Sequence, residues 1–151
     1  MKPINFIVLT TLLMFVFTMP LSFVLNTIGV KEKEIGSIDY NQYGLIETIL
    51  LTAALAPLIE TFLGQGLPIY LTQKFIKMRT NQVAVFISSI VFSLSHLGYS
   101  IWYFILIVPT GILLAMTYIV FQARKESSFW MTFSVHSLRN LIAISPFLLD
   151  R

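Results

Sequence analysis

No cysteine occurs among the 151 residues, which removes disulfides, thiol nucleophiles, thiolate metal sites and palmitoylation and leaves the redox compartment open. Charge is almost as scarce. Charged residues make up 11% of the chain and hydrophobic ones 56%, whereas soluble domains carry about 25% charge. The net charge of +3 comes without a basic patch interleaved with aromatics, so nothing points to nucleic acid as a partner. A spanning helix takes about 20 residues; the chain therefore has room for a handful of crossings and none for a separate soluble domain. The expectation is an all-α, polytopic transmembrane helix bundle, one membrane-embedded domain over 1–151, integral to the plasma (inner) membrane.

What is present is a series of apolar runs. Ile4 to Val30 is too long for the apolar core of a signal peptide, about 7–15 residues, and no small-residue cleavage pattern follows it, so it reads as a retained helix. Lys31 to Gln42 is a polar connector. Further runs cover Leu45 to Leu71, Val83 to about Ser100, Ile101 to Phe121 and Phe129 to about Leu149, which makes five predicted spans, with a tight turn near Gly98 to Trp102. The basic residues Lys74, Lys77, Arg79, Arg124 and Lys125 mark the cytoplasmic side, and with Lys2 there too the amino terminus is predicted to be cytoplasmic. Trp102, Tyr103, Phe129 and Trp130 fall near predicted span ends, where aromatic belts lie.

The second run carries Ala56-Pro57-Leu58-Ile59-Glu60-Thr61-Phe62-Leu63-Gly64-Gln65-Gly66, an acid in the middle of a segment apolar enough to cross a bilayer. An acidic side chain at the centre of a membrane helix costs about 2.5–3.5 kcal/mol, so Glu60 needs polar partners. Pro57, Gly64, Gly66 and Pro68 predict that this helix bends. Leu-Ile-Glu-Thr occurs at Leu45 to Thr48 and again at Leu58 to Thr61, but the second copy is turned about 220° from the first. Glu47 is accordingly read as interfacial.

The only two histidines, His96 and His136, both fall within predicted spans. Spacing of four places Phe92 with His96, and His136 with Asn140, on common helix faces. Counted from the basic end, Glu60, His96, His136 and Asn140 lie roughly 10 to 20 Å deep, so three helices bring polar groups to one slab. Two chemistries use such a set. Glu60 with His96 activates a water while His136 and Asn140 donate to an oxyanion; or Glu60, His96 and His136 bind a divalent metal such as zinc, which lowers the pKa of a bound water. The bland reading is that these groups only cross-link helices, and a proton relay of a small transporter is a third class.

These residues give the chain a resemblance to the CPBP family of intramembrane proteases, which takes in CAAX prenyl endopeptidases and the bacteriocin-processing or self-immunity proteins called Abi. The family pattern is a Glu-Glu-x-x-x-Arg helix followed by Gly, then Phe-x-x-x-His, then His-x-x-x-Asn or Asp. Glu60 matches the first glutamate, with Gly66 after it; Phe92 and His96 match the second motif, His136 and Asn140 the third. The likeness covers roughly Ala53 to Ile144. It implies intramembrane peptide hydrolysis, as a glutamic or metalloprotease, with Glu60 and His96 activating water and His136 with Asn140 forming the oxyanion site.

Thr61 and Gln65 stand where the family has its second glutamate and its arginine. Four apart on one face, they are expected to hydrogen-bond to each other, a neutral substitute for a buried ion pair. Arg139 is the one basic residue deep in a predicted span and needs a carboxylate or carbonyl partner; paired with Glu60 it would compete with that residue's role as base. The resemblance thus implies a membrane peptide or protein substrate within the lipid bilayer. The alternative is a catalytically inactive relative, a membrane scaffold or bacteriocin self-immunity protein. Gly64-Gln65-Gly66 offers a small-residue face for a homo-oligomer or a partner membrane protein.

Overall fold

A computed structural model describes residues 1–36, 40–76 and 80–149. Asp39 of the polar connector and Lys77 and Arg79 of the basic loop lie outside the described residues. Five long helices account for most of the rest: α1 (Pro3–Thr27), α2 (Leu45–Phe75), α3 (Thr80–Leu94), α4 (Ile101–Gln122) and α5 (Ser128–Leu149). A one-turn helix, Glu32–Ile35, and a 3-10 turn, Tyr40–Gln42, lie between α1 and α2. The protein is an all-α transmembrane bundle. By length and composition α1, α2 and α4 each suffice to cross a membrane; α3 has only 15 residues.

Helix α4 lies at the centre, packed on α1, α3 and α5 and on the middle of α2, while α5 packs on α1 and α2. Met14, Phe92, Ile107, Leu114 and Val135 form the core between four helices. At one end Leu25, Val30 and Ile35 pack under Trp102 and Leu106. Gly29 supplies the positive φ of 94° that ends α1; the Val30 N–H then returns to the Leu25 carbonyl at 3.0 Å, and the contact between those two side chains completes the helix stop. At the other end, Arg124 Nη2 donates to the Met1 carbonyl at 2.9 Å and Gln73 bonds both Asn81 and Gln122. The amino terminus, the α2–α3 junction and the α4–α5 junction are therefore at the same end of the bundle.

Prolines shape α2. The expected bend takes the form of two π-helical stretches, Leu51–Leu55 and Thr61–Gly66, with Ala56–Glu60 as α-helix between them. Pro57 has no N–H to give to the carbonyls of Ala53 or Thr52, four and five residues back, and Pro68 has none for Gly64. Other helices supply the donors. Ser137 Oγ donates to the Ala53 carbonyl, Asn140 Nδ2 to the Thr52 carbonyl at 3.0 Å, and Ser88 Oγ to the Gly64 carbonyl at 2.8 Å. The same device recurs within α5, where Ser145 Oγ donates at 2.8 Å to the Ile142 carbonyl that Pro146 leaves free. Such π-turns persist in membrane helices because neighbouring Ser and Asn side chains satisfy the freed carbonyls.

One boundary differs from the sequence expectation. Helix α3 stops at Leu94, so His96 sits in the turn beyond it and not within a span. The hydroxyls of Ser93 and Ser95 bond the carbonyls of Ser89 and Phe92 at 2.8 and 2.7 Å, and the ladder tightens to His96 N to Ser93 O at 3.0 Å. Serines in the last turn compete with the helix for its own backbone.

Candidate active site

Glu60 ends the α-helical segment between the two π-stretches of α2, and the extra residue in each stretch sets the direction in which its side chain leaves the helix. That direction is toward α5 and the end of α3. Its Oε2 lies 3.4 Å from His136 Nε2 and 3.8 Å from His96 Nε2. The three side chains differ in exposure, 27% for Glu60, 10% for His96 and 3% for His136. The carboxylate thus remains open to a cavity while one imidazole is sealed behind it.

That cavity has a volume of about 660 Å³. Glu60, His96, His136, Arg139 and Asn140 line one part of it, with Thr52 and Ile144 alongside; Tyr40, Tyr43 and Tyr99 line it toward the end of the bundle that carries the α3–α4 turn. A pocket of this size with a few convergent polar groups in apolar walls is the usual form of a small-molecule site.

Each imidazole is held by its surroundings. His96 Nδ1 lies 2.8 Å from the Phe92 carbonyl, and because a carbonyl only accepts, Nδ1 carries the proton of the neutral ring and Nε2 presents a lone pair to Glu60. Tyr103 stacks on the same ring, with centroids 5.6 Å apart and planes at 24°, and Phe92 packs against both histidines at 4.9 and 5.5 Å. Phe92 is itself clamped. A Cβ on Gly64 would come 3.1 Å from its ring, and a Cβ on Gly111 would come 3.1 Å from the ring and from the Ser89 carbonyl. His136 Nδ1 is buried with no hydrogen-bond partner, so the ring is positioned by packing and by Glu60.

Asn140 faces α2, with Nδ2 on the Thr52 carbonyl at 3.0 Å and Oδ1 accepting from Arg139 Nη1 at 3.2 Å. One N–H of its carboxamide therefore holds the backbone of α2. Arg139 makes no ion pair with Glu60 among the described residues; its guanidinium carbon lies 6.0 Å from the Phe15 ring centroid, and the competition with His96 for Glu60 does not arise.

A family model described as Rce1-like, type II CAAX prenyl endopeptidase, matches residues 42–142. The chain belongs to that family. No curated protein and no solved structure matches it. The matched stretch contains Glu60, Phe92, His96, His136 and Asn140, the residues that the fold gathers at the cavity, so membership and geometry meet at one place.

Against the family pattern, Thr61 and Gln65 do not bond each other as the sequence leads one to expect. Gln65 turns its carboxamide to α3, where Ser88 Oγ donates to Gln65 Oε1. Thr61 Oγ1 and Gln65 Nε2 are buried without partners. Ser88 on the adjacent helix reaches both the Gly64 carbonyl and the Gln65 carboxamide oxygen, so its single hydroxyl hydrogen is shared between two acceptors of α2. The brace of the family motif is here an interhelical contact.

Glu60, His96 and His136 approach one another, yet among the described residues no group of three His, Cys, Asp or Glu side chains is placed to hold a metal ion. Metal-bound histidines almost always anchor their second nitrogen, and His136 Nδ1 has no anchor.

Sequence reasoning missed several contributors. Tyr103, read as a belt residue, stacks on His96 and lines the cavity. Gly111, Ser88 and Ser137 carried no sequence signal beyond being small residues in apolar runs; what exposes them is the neighbouring helix. Glu47, the echo of Glu60, accepts from Gly44 N at 2.9 Å and caps its own helix.

Proposed function

We propose that the chain is an intramembrane peptidase that hydrolyses a peptide bond of a membrane-associated substrate, and that it sits in the inner membrane with its amino terminus in the cytoplasm. The observation that carries the reading is the Glu60 carboxylate open to the cavity between two imidazole nitrogens, 3.4 and 3.8 Å away. A water bound between Glu60 Oε2 and His96 Nε2 directs its hydrogens at these two acceptors and its lone pairs at the substrate. Its oxygen bonds to the scissile carbonyl carbon as Glu60 takes its proton. The resulting oxyanion receives hydrogen bonds from His136 Nε2–H and from the N–H of Asn140 that Thr52 leaves unused. Collapse breaks the C–N bond, Glu60 returns the proton to the leaving amine, and an acid and an amine result. No step is routed through a metal.

The test is Glu60→Gln, which keeps shape and removes the base. In reconstituted vesicles, cleavage of membrane peptides should fall by at least 100-fold at unchanged protein level, since general acid–base catalysis contributes about 10²–10⁴. Full activity in this variant and in His96→Ala would overturn the reading and leave a silent scaffold or self-immunity protein in its place.

A further inference from the structure

The chemistry above asks the two histidines for opposite tautomers. Glu60 Oε2 stands between their Nε2 atoms; His96 has to present a lone pair there, and His136 has to carry a proton there in order to donate to an oxyanion. The Phe92 carbonyl at His96 Nδ1 settles the first ring. For the second ring the requirement is reversed. Nδ1 of His136 must accept, so the group that faces it has to be a donor.

Nδ1 adjoins the bond that ties the ring to its own helix, and helical side chains lean toward the amino-terminal end, over the residues three and four before them. For His136 those are Phe133 and Thr132, and phenylalanine has no polar side-chain atom. Thr132 is 0% exposed and His136 2%, and among the described residues neither Thr132 Oγ1 nor His136 Nδ1 has a hydrogen-bond partner. Other hydroxyls on α5 are already engaged: Ser134, Ser137 and Ser145 each donate to a carbonyl. Elsewhere in the bundle Thr18, Thr27 and Thr117 bond the carbonyl four residues back at 2.8 Å, a bond that Thr132 does not make. A buried donor and a buried acceptor thus stand one turn apart on one face of α5, and each lacks what the other has.

We propose that Thr132 is a positioning residue of the active site, whose hydroxyl donates to His136 Nδ1 and so keeps the ring proton on Nε2; this rests on the peptidase reading above. Residues four apart on a helix have Cβ atoms about 5–6 Å from each other, a gap that a hydroxyl on one side and an imidazole nitrogen on the other close. Threonine divides between two χ1 rotamers in a helix, so rotation about one bond brings Oγ1 to the ring. A hydroxyl can also accept, but the other end of the ring decides: the Glu60 carboxylate is an acceptor 3.4 Å from His136 Nε2, and with the proton held there Nδ1 is left as a lone pair. Hydroxyl and carboxylate therefore impose the same tautomer. A second backbone carbonyl, as at His96, would impose the wrong one.

The test reads the rings themselves. With only two histidines in the chain, nitrogen-15 imidazole spectra of histidine-labelled protein in phosphatidylcholine vesicles resolve both, and His96→Gln assigns them. In alkaline buffer native His136 should carry its proton on Nε2 and show a hydrogen-bonded acceptor at Nδ1, with His96 in the opposite tautomer. Thr132→Val, which keeps the shape and removes the hydroxyl, should move part of the His136 population to the Nδ1–H form, and Thr132→Ser should retain the native spectrum. In cleavage assays Thr132→Val should lower kcat, by up to the roughly 100-fold that loss of one oxyanion donor costs, with KM unchanged and Thr132→Ser close to native. A native His136 with its proton on Nδ1 overturns the proposal, as does a Thr132→Val spectrum identical to the native one. Arg139 Nε is the other unpartnered buried donor on α5; loss of the native spectrum in Arg139→Lys but not in Thr132→Val would give the role to Arg139 and likewise overturn the proposal. If Thr132→Val does not fold, the native spectrum still decides, since an Nδ1 that accepts no hydrogen bond refutes the contact. If the tautomers respond as stated but no peptide is cleaved, the peptidase reading fails and the Thr132–His136 contact stands.

Discussion

Ser137→Ala removes one hydroxyl, and the structure says what that should do. Ser137 Oγ donates to the carbonyl of Ala53, one of the two that Pro57 leaves without a helical donor. Orphaning a buried carbonyl costs about 1–3 kcal/mol in soluble proteins, whereas interhelical hydrogen bonds in a membrane protein average about 0.6 and reach about 1.7 kcal/mol. The second range governs here, because the unfolded chain stays in lipid and finds other partners, so a loss of about 1 kcal/mol is expected. The decisive measurement is a double-mutant cycle with Pro57→Ala. That substitution restores an N–H that reaches the Ala53 carbonyl from within α2, and Ser137→Ala should then cost no more than a few tenths of a kcal/mol, leaving a coupling of about 1 kcal/mol. Reversible unfolding in mixed micelles reads the stability arm. Because the same π-turn aims Glu60, Ser137→Ala should also lower kcat with little change in KM. An equal cost of Ser137→Ala in both backgrounds would refute the account of α2.

Other outcomes follow from the same contacts. Gly111→Ala places a Cβ 3.1 Å from both the Phe92 ring and the Ser89 carbonyl; overpacking of this kind costs about 1–3 kcal/mol, and activity should fall further than stability since Phe92 carries His96, while Gly98→Ala, with open space around it, serves as the control. Gln65→Arg alone buries an unpaired charge at a site with 0% exposure and should cost about 3–5 kcal/mol; adding Thr61→Glu should recover part of it in chemical unfolding, and no recovery would show that α2 cannot accommodate the family's ion pair. Exhaustive chelation should leave cleavage unchanged, and a loss restored by zinc would show that the cavity rearranges to bind metal.

Several features were legible in the order of residues alone. Long apolar runs can bury their backbone polar groups in lipid only as helices, so the all-α class and the five segments followed. An acid in the second run and histidines in the third and fifth had to find one another for the same energetic reason, which made Glu60, His96, His136 and Asn140 visible as a group before any coordinates. The end of α3 was not visible, because the serine hydroxyls that bond its last carbonyls are as common in membrane helices as at their ends. Nor was the fate of Gln65: its four-residue spacing from Thr61 suggested a local pair, but a helix position has neighbours on other helices that spacing along one chain does not encode.

Composition and residue order were enough to require that the chain span the membrane, to single out the side chains too polar to face lipid, and to show that Pro57 and Pro68 strip donors from the helix that bears Glu60. Who replaces those donors, and where the polar groups meet, was left to the packing of the bundle. Ser137, Asn140 and Ser88 serve carbonyls on another helix, Glu60 turns to the imidazoles, and Arg139 lines the cavity and bonds the Asn140 carboxamide. The physical reason is range. Burial and backbone satisfaction act residue by residue and are written in composition and spacing, whereas the choice among competing polar partners depends on distances between helices that exist only once the bundle has packed.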